Sequence, residues 1–305
     1  WPISLEIAGA RLSLNQDGSV QLMLGATEIG QGADTVFSQM VAETLHTDME
    51  HVHIKTVQDT DVSPFDTGAY ASRQSFVTGT AVRHCAEILR DKILAYAKTL
   101  LPEIDTRELT LKDNWIWAGD EQAISLAALA EESYYSLTNS SVLTAEVSEQ
   151  VKKNTIATGC CFAEVEVDIK LGKIKILHII NVHDSGKLLN PQLAEMQVHG
   201  GMSMGMGYGI SEQLILDEKT GRPLNGNLLD YKLMTMLDTP DIKADFVELC
   251  DPMGPYGNKA LGEPPAIPCA PAIRNAVLHA TGVAFYENPL TPQRLIDGFK
   301  KAGLI

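Results

Sequence analysis

Apolar and polar positions along this 305-residue chain switch repeatedly between two periods. Ala10 to Leu14 and Val20 to Leu24 alternate around the turn pair Asp17-Gly18, which predicts a β-hairpin. The period then changes. After the glycine-rich run GATEIGQG (Gly25–Gly32), Val36, Phe37, Met40, Val41 and Leu45 recur at helical spacing, so the loop feeds a helix N-terminus. A strand is expected near His51 to Val57. The small-residue loop TGAYASRQS (Thr67–Ser75) then leads into a long amphipathic helix marked by Val82, Ala86, Leu89, Ile93 and Tyr96. From about residue 102 to 155 the sequence is more polar and less periodic, and reads as surface excursions and a connection.

The second half repeats the scheme. Ala163, Val165, Val167 and Ile169 alternate with Glu164, Glu166 and Asp168, turn at Leu171-Gly172 and return through Ile174 to Ile180. The loop HDSGKLLNP (His183–Pro191) follows, then the small-residue helix candidate MQVHGGMSMGMGYG (Met196–Gly209). A last strand near Ala244 to Leu249 leads to KALGEPP (Lys259–Pro265). A helix from Pro271 to about Thr281 ends at Gly282 as C-cap. Hairpins mixed with helices, rather than strict strand–helix alternation, predict an α+β fold of two related lobes, residues 1–145 and 146–305. No residue-level repeat establishes duplication.

Composition narrows the function. With 45% hydrophobic and 21% charged residues, disordered and fibrous architectures are excluded. A formal charge of -15 argues against nucleic acid as a partner, so any anionic ligand must be held by local backbone amides. No run of about 18 apolar residues suggests a membrane span. The chain starts at Trp1 without the basic and apolar stretches of a signal peptide. Its five cysteines form no CxxC and no disulfide-like framework, which fits a reducing cytoplasm. They offer no spacing for an iron–sulfur cluster or zinc.

Glycine-rich and hydroxyl-rich loops ahead of helices present unpaired N–H groups, and such ends can hold a pyrophosphate without many cations. The alternative is that Gly25, Gly30 and Gly32 merely permit a turn. Gln31, Ser72, Gln74 and Ser75 supply polar side chains, and neither loop fits the phosphate-binding pattern GxxxxGK[ST]. Gln197 lies among small residues and Met, where Gly201 and Gly205 would let another backbone or a flat ligand approach. Glu263 precedes Pro264 and Pro265, which stiffen its backbone. A buried carboxylate there would have a raised pKa and make a good base. The alternatives are a loop carboxylate capping the next helix or an ion pair with Lys259. His183, Asp184 and His199 sit in no HExxH or GxSxG pattern and read as structural.

Taken in order, GATEIGQG, GAYASRQS, DSGKLLNP, QVHGGMSMGMGYG and KALGEPP resemble the molybdopterin-binding subunit of the xanthine dehydrogenase, or molybdenum hydroxylase, family. The likeness is strongest to bacterial purine-oxidising members and covers essentially the whole chain. It implies a molybdenum cofactor-binding fold. It also implies that Glu263 takes the proton from the hydroxyl that attacks an electron-poor ring carbon. Gly30, Gln31, Gly32, Ala71, Ser72, Arg73, Gln74, Ser75 and Gln197 would hold molybdopterin in its cytosine dinucleotide form. Molybdenum would be held through the pterin, with Ala71 and Glu263 near it and no protein ligand. Family subunits begin with a further region carrying a GGQE-like loop and the aromatic and arginine side chains that clamp substrate. That region is not found in this chain, so a complementary half is an expected partner, beside chains carrying [2Fe-2S] and FAD. The expected substrate is a small aromatic heterocycle, a purine. The alternatives are a cofactor-binding or assembly module without chemistry, or a subunit of a nicotinate or aldehyde dehydrogenase.

Overall fold

The alternation near the start of the chain folds as a hairpin in the computed structural model, which describes residues 6–55, 57–104 and 109–305. Readings that fall on residues 1–5, 56 and 105–108 lie outside the described residues. Strand β1 (Ile7–Leu14) pairs antiparallel with β2 (Val20–Leu24), and Ala8, Ala10, Leu12 and Leu14 are fully buried along one face. Strand β3 (Val52–Ile54) is shorter than expected and runs parallel to β2. Helices α1 (Ala33–Leu45) and α2 (Gln74–Leu100) follow the two loops at the spacing the periodicity predicts. Phe37, Met40 and Leu45 of α1 and Leu89 and Ile93 of α2 complete the core, each contributing roughly 1.5–3 kcal/mol of burial.

The stretch expected to be excursions is more structured than its polarity suggests. Strands β4 (Leu109–Lys112), β5 (Trp115–Ala118) and β6 (Glu121–Ser125) form an antiparallel meander, followed by α3 (Leu126–Tyr135) with Ser125 as its cap. Strand β7 (Thr144–Gln150) then joins the first sheet beside β1, giving the order β3-β2-β1-β7. Its sequence, TAEVSEQ, buries only Ala145 fully, so the hydrophobic signal that fixes it comes from its partner strand.

The chain divides into two compact units, Trp1–Thr155 with Cys250–Asn258, and Ile156–Leu249 with Lys259–Ile305. The short segment 250–258 belongs to the first unit, where Tyr256 donates from its hydroxyl to the Met40 carbonyl at 2.9 Å. In the second unit β8 (Thr158–Asp168) and β9 (Lys173–Asp184) form the long hairpin, and β10 (Asp241–Phe246) adds parallel to β9. Strand β10 lies a few residues earlier than its expected position. Helices α4 (Pro191–Ile210) and α5 (Cys269–Thr281) cover one face around Ile179, Val198, Met202, Met206 and Ile273. Gly282 closes α5 with φ 71°, as its sequence position suggests.

Helix α6 (Pro292–Lys301) lies beyond the last expected helix, although Thr291-Pro292 carries the cap-and-proline start and Leu295 and Phe299 share one buried face. It packs Leu295 and Phe299 with Val277, Phe285 and Leu290, and the Phe285 and Phe299 rings meet edge to face at 5.8 Å. The fold is α+β. All five cysteines are free, and the Cys161 and Cys269 thiols lie 3.9 Å apart. Among the described residues no helix is long and apolar enough to cross a membrane.

Candidate functional site

In the first unit the loop GATEIGQG satisfies its own helix end. The Glu28 carboxylate accepts from the backbone N–H groups of Gly30 (2.7 Å), Gly32 (3.1 Å) and Asp34 (3.0 Å). Burial pushes the Glu28 carboxyl up, but the N–H groups of Asp34, Gly32, Gly30 and Ala33 outweigh it and hold it below the usual carboxylate range. The backbone donors of Gly30 and Gly32, residues expected to help hold the cofactor, thus meet an anion supplied by the chain itself. Gly32 sits at φ 85° as the residue preceding α1, where a side chain would be strained.

The loop Thr67–Ser75 is built differently. Ala71 and Ser72 both adopt left-handed backbone, φ 52° and 58°, a conformation costing of order 1–3 kcal/mol for each residue with a side chain. Such a turn persists only where the surroundings force it, and here Arg73 does so. Its guanidinium, 1% exposed, donates from Nε to Glu6 (2.8 Å) and from Nη1 to Asp66 (2.6 Å) and the Gly68 carbonyl (3.1 Å). Nη2 donates to the Ile7 carbonyl (2.8 Å). Asp66 also accepts from Gly68 N–H and the Thr78 hydroxyl. This is where the structure places Arg73, a residue expected to help hold the cofactor. It is committed to two carboxylates and two carbonyls, and it fixes the loop.

Gln31 and Gln74 tie the two loops together within this unit. The Gln31 amide donates to the Gln74 side-chain oxygen and to the Thr27 carbonyl (2.9 Å), and Gln74 donates to the same carbonyl (3.2 Å). The first turn of α2, with Gln74 and Ser75, contains no acidic residue and has no side-chain cap. Of the two helix ends, this is the one whose N–H groups suit an anion.

In the second unit Asn190 caps α4, accepting from Leu193 N–H at 3.0 Å, with Pro191 at the first turn. Gln197 is half-buried two turns in. The glycines beyond it serve packing. A side chain at Gly201 would meet the Pro265 Cβ at 2.7 Å, and one at Gly205 would meet the Ala266 carbonyl oxygen at 2.6 Å. These residues let the KALGEPP segment lie against α4, so of the two expected occupants, another backbone or a flat ligand, it is a backbone that lies there.

Glu263 itself is exposed, not buried, and its carbonyl accepts from Ala266 N–H (3.0 Å) in a turn. Lys259 does not pair with it. Lys259 Nζ lies 2.6 Å from Asp184 Oδ2. Both roots of the segment are bound to the end of β9: Lys259 N–H donates to the Ser185 carbonyl (2.8 Å), and the Asn181 amide donates to the Pro265 carbonyl (2.8 Å). Between these ties His183 is 1% exposed, its two ring nitrogens have no hydrogen-bond partner among the described residues, and burial lowers its pKa. A side chain at Gly159 on the neighbouring strand would strike this ring. His199 lies 3.8 Å from Glu195 one turn away on α4.

Sequence reasoning did not single out Glu6, Glu28, Asp66 or Asn181. Their signals are weak alone: an acidic residue shortly ahead of a helix start for Glu28, near partners inside one loop for Asp66, and partners distant in sequence for Glu6 and Asn181.

The molybdopterin cofactor-binding domain family matches residues 2–240. The chain belongs to that family. Its Glu263 segment lies beyond the matched residues but within the span shared with full-length relatives. The chain is 51% identical to the putative xanthine dehydrogenase molybdenum-binding subunit XdhA of Escherichia coli K12, over 100% of this chain and 41% of that protein. It is 32% identical to the probable hypoxanthine oxidase XdhD of the same organism, over 97% of this chain and 31% of that protein. The chain thus spans less than half the length of the curated relatives it matches. Among solved structures, quinoline 2-oxidoreductase from Pseudomonas putida 86 superposes with a TM-score of 0.87 at 25% identity, covering 97% of this chain and 38% of that one. Reconstituted CO dehydrogenase from Oligotropha carboxidovorans gives 0.88 at 26% identity, over 97% and 37%.

Two outcomes follow for this family member. Arg73→Met leaves the buried Glu6 and Asp66 carboxylates without a counter-charge, and should cost about 3–5 kcal/mol of unfolding free energy in urea. A loss below about 1 kcal/mol would class the cluster with exposed ion pairs. For His183, the lowered pKa means that the unfolded chain protonates first as pH falls. The stability of the neutral ring is complete above about pH 6.5 and is lost as pH falls from there toward the folded value. The unfolding free energy of His183→Leu should therefore gain on that of the unmodified chain between about pH 7 and about pH 5. A difference that does not change with pH would contradict this.

Proposed function

We propose that the chain is the cofactor-binding portion of a cytoplasmic molybdenum hydroxylase that hydroxylates a purine, with Glu263 as its general base. The observation that carries the reading is the KALGEPP segment. Two prolines and two hydrogen-bonded roots hold it, and it presents one exposed carboxylate in a chain half identical to a xanthine dehydrogenase molybdenum-binding subunit.

The residues present fit a molybdenum–pterin group. The first turn of α2 offers N–H donors and contains no acidic residue of its own, and Ala71 and Ser72 hold a strained turn directly before it. Gln31, Gln74, Ser72 and Ser75 would hold the pterin and its phosphates by amide, hydroxyl and backbone donors, with Ala71 facing the metal and Gln197 adding a further amide. Glu28 and Arg73 would support these loops without touching the group. A cytosine dinucleotide form is in keeping with the GAYASRQS loop. When bound, the cofactor supplies two-electron oxygen-transfer chemistry.

Glu263 contributes the proton step. Its carboxylate takes the proton of the attacking hydroxyl, and the electron-poor ring carbon gains oxygen from water. The net change is C–H and water to C–OH, two protons and two electrons. The electrons leave to partner chains carrying [2Fe-2S] and FAD, and a complementary half supplies the residues that clamp the ring.

The test is to assemble the full complex with Glu263→Gln and measure xanthine oxidation per bound molybdenum. Turnover should fall by about 10²–10⁴-fold with metal content unchanged. Near-normal turnover with full metal loading would remove Glu263 from the chemistry.

A further inference from the structure

We infer that the Asp184–Lys259 ion pair and the Asn181–Pro265 hydrogen bond act as positioning residues, a two-point clamp by which the end of β9 aims Glu263. The inference rests on the reading of Glu263 as the base. Its own evidence is geometric and lies within the second unit. Lys259 stands four residues before Glu263, and Pro265 stands two residues after it. Each is bound to β9 or the residue just beyond it, and nothing in the segment is helix or strand.

The first point is an ion pair largely removed from water. Lys259 and Asp184 side chains are 10% and 9% exposed at a separation of 2.6 Å. The second carboxylate oxygen, Oδ1, accepts from Gly186 N–H (3.1 Å) and Leu249 N–H (3.3 Å), so the carboxylate is fixed before the lysine reaches it. Burial pushes the Asp184 carboxyl up, but Lys259 and these N–H groups outweigh it and hold it below the usual range, so the carboxylate is ionised at neutral pH. The backbone of Lys259 is bound as well, through its N–H to Ser185. A flexible lysine anchored at both side chain and main chain fixes where the segment begins.

The second point is a buried amide. Asn181 is 0% exposed and donates to the carbonyl of Pro265, a residue with no N–H of its own to anchor it. The Pro265 side lies so close to Gly201 that no side chain fits between them. The segment is thus pressed between β9 and α4 on one side of Glu263 and ion-paired on the other. A carboxylate that must meet one reacting proton gains from such fixing, because a misplacement of about 1 Å can cost about 10²-fold in rate.

The clamp is tested in the assembled, molybdenum-loaded complex with xanthine as the probe substrate. Lys259→Met should lower kcat by about 10–100-fold, while KM and molybdenum content stay within about twofold. Lys259→Arg, which keeps the charge, should recover most of the loss. Amide exchange across residues 259–266, read by mass spectrometry, should quicken by about tenfold in Lys259→Met. If Lys259→Met does not load metal, Asn181→Leu carries the test, with the same split between kcat and KM expected. A kcat within about twofold of the unmodified enzyme in the loaded variant, or unchanged exchange, overturns the clamp. Glu263→Gln measured alongside separates the two ideas. If it turns over normally, the base assignment fails; if it is inactive while the clamp variants turn over normally, only the clamp fails.

Discussion

A charge taken out of water must meet an opposite charge in a fixed geometry, and in each unit that requirement sets the loop on which the proposed chemistry depends. In the first unit Arg73, held by Glu6 and Asp66, forces Ala71 and Ser72 into a left-handed turn ahead of α2. In the second, Asp184 and Lys259 fix the start of the segment that carries Glu263. The residues expected to touch a ligand are small, amidic or exposed. The residues that place them are charged and buried. A buried ion pair adds little net stability by itself, yet removing one partner is costly, and this makes it suited to holding a backbone in one conformation.

The same logic explains why an acidic chain can serve an anionic cofactor. The overall charge of -15 gives no attractive field, so binding falls to oriented dipoles. Glu28 uses the donors at the start of α1, and α2 begins without an acidic residue. The two helix ends look alike in sequence, each behind a loop of small residues. Their chemistry differs because one loop contains its own anion.

Much of the fold was legible in the sequence. Both hairpins and the helices after the two loops followed from period alone, since each carries its own run of alternating or helically spaced apolar residues. β7 and β4–β6 were not legible, whereas α6 carried its signal in the Thr291-Pro292 start and one amphipathic face. Strand β7 carries few large apolar residues and is recruited by β1, while the meander is built from four- and five-residue strands too short to show a period. The candidate site residues were legible as motifs, but their roles were not. Sequence could not tell that Arg73 turns inward, that Gly201 and Gly205 admit the Pro265–Cys269 backbone, or that Lys259 prefers Asp184 to Glu263, because each depends on a partner far along the chain.

The central claim is that a fixed segment delivers the Glu263 carboxylate to the reacting centre. The most direct measurement is a crystal structure of the full molybdenum-binding subunit with its cofactor bound. The expected result is the Glu263 carboxylate beside the metal, with Lys259 still on Asp184 and Asn181 still on Pro265. A structure in which Glu263 points away from the metal, or in which Lys259 has left Asp184, would contradict it.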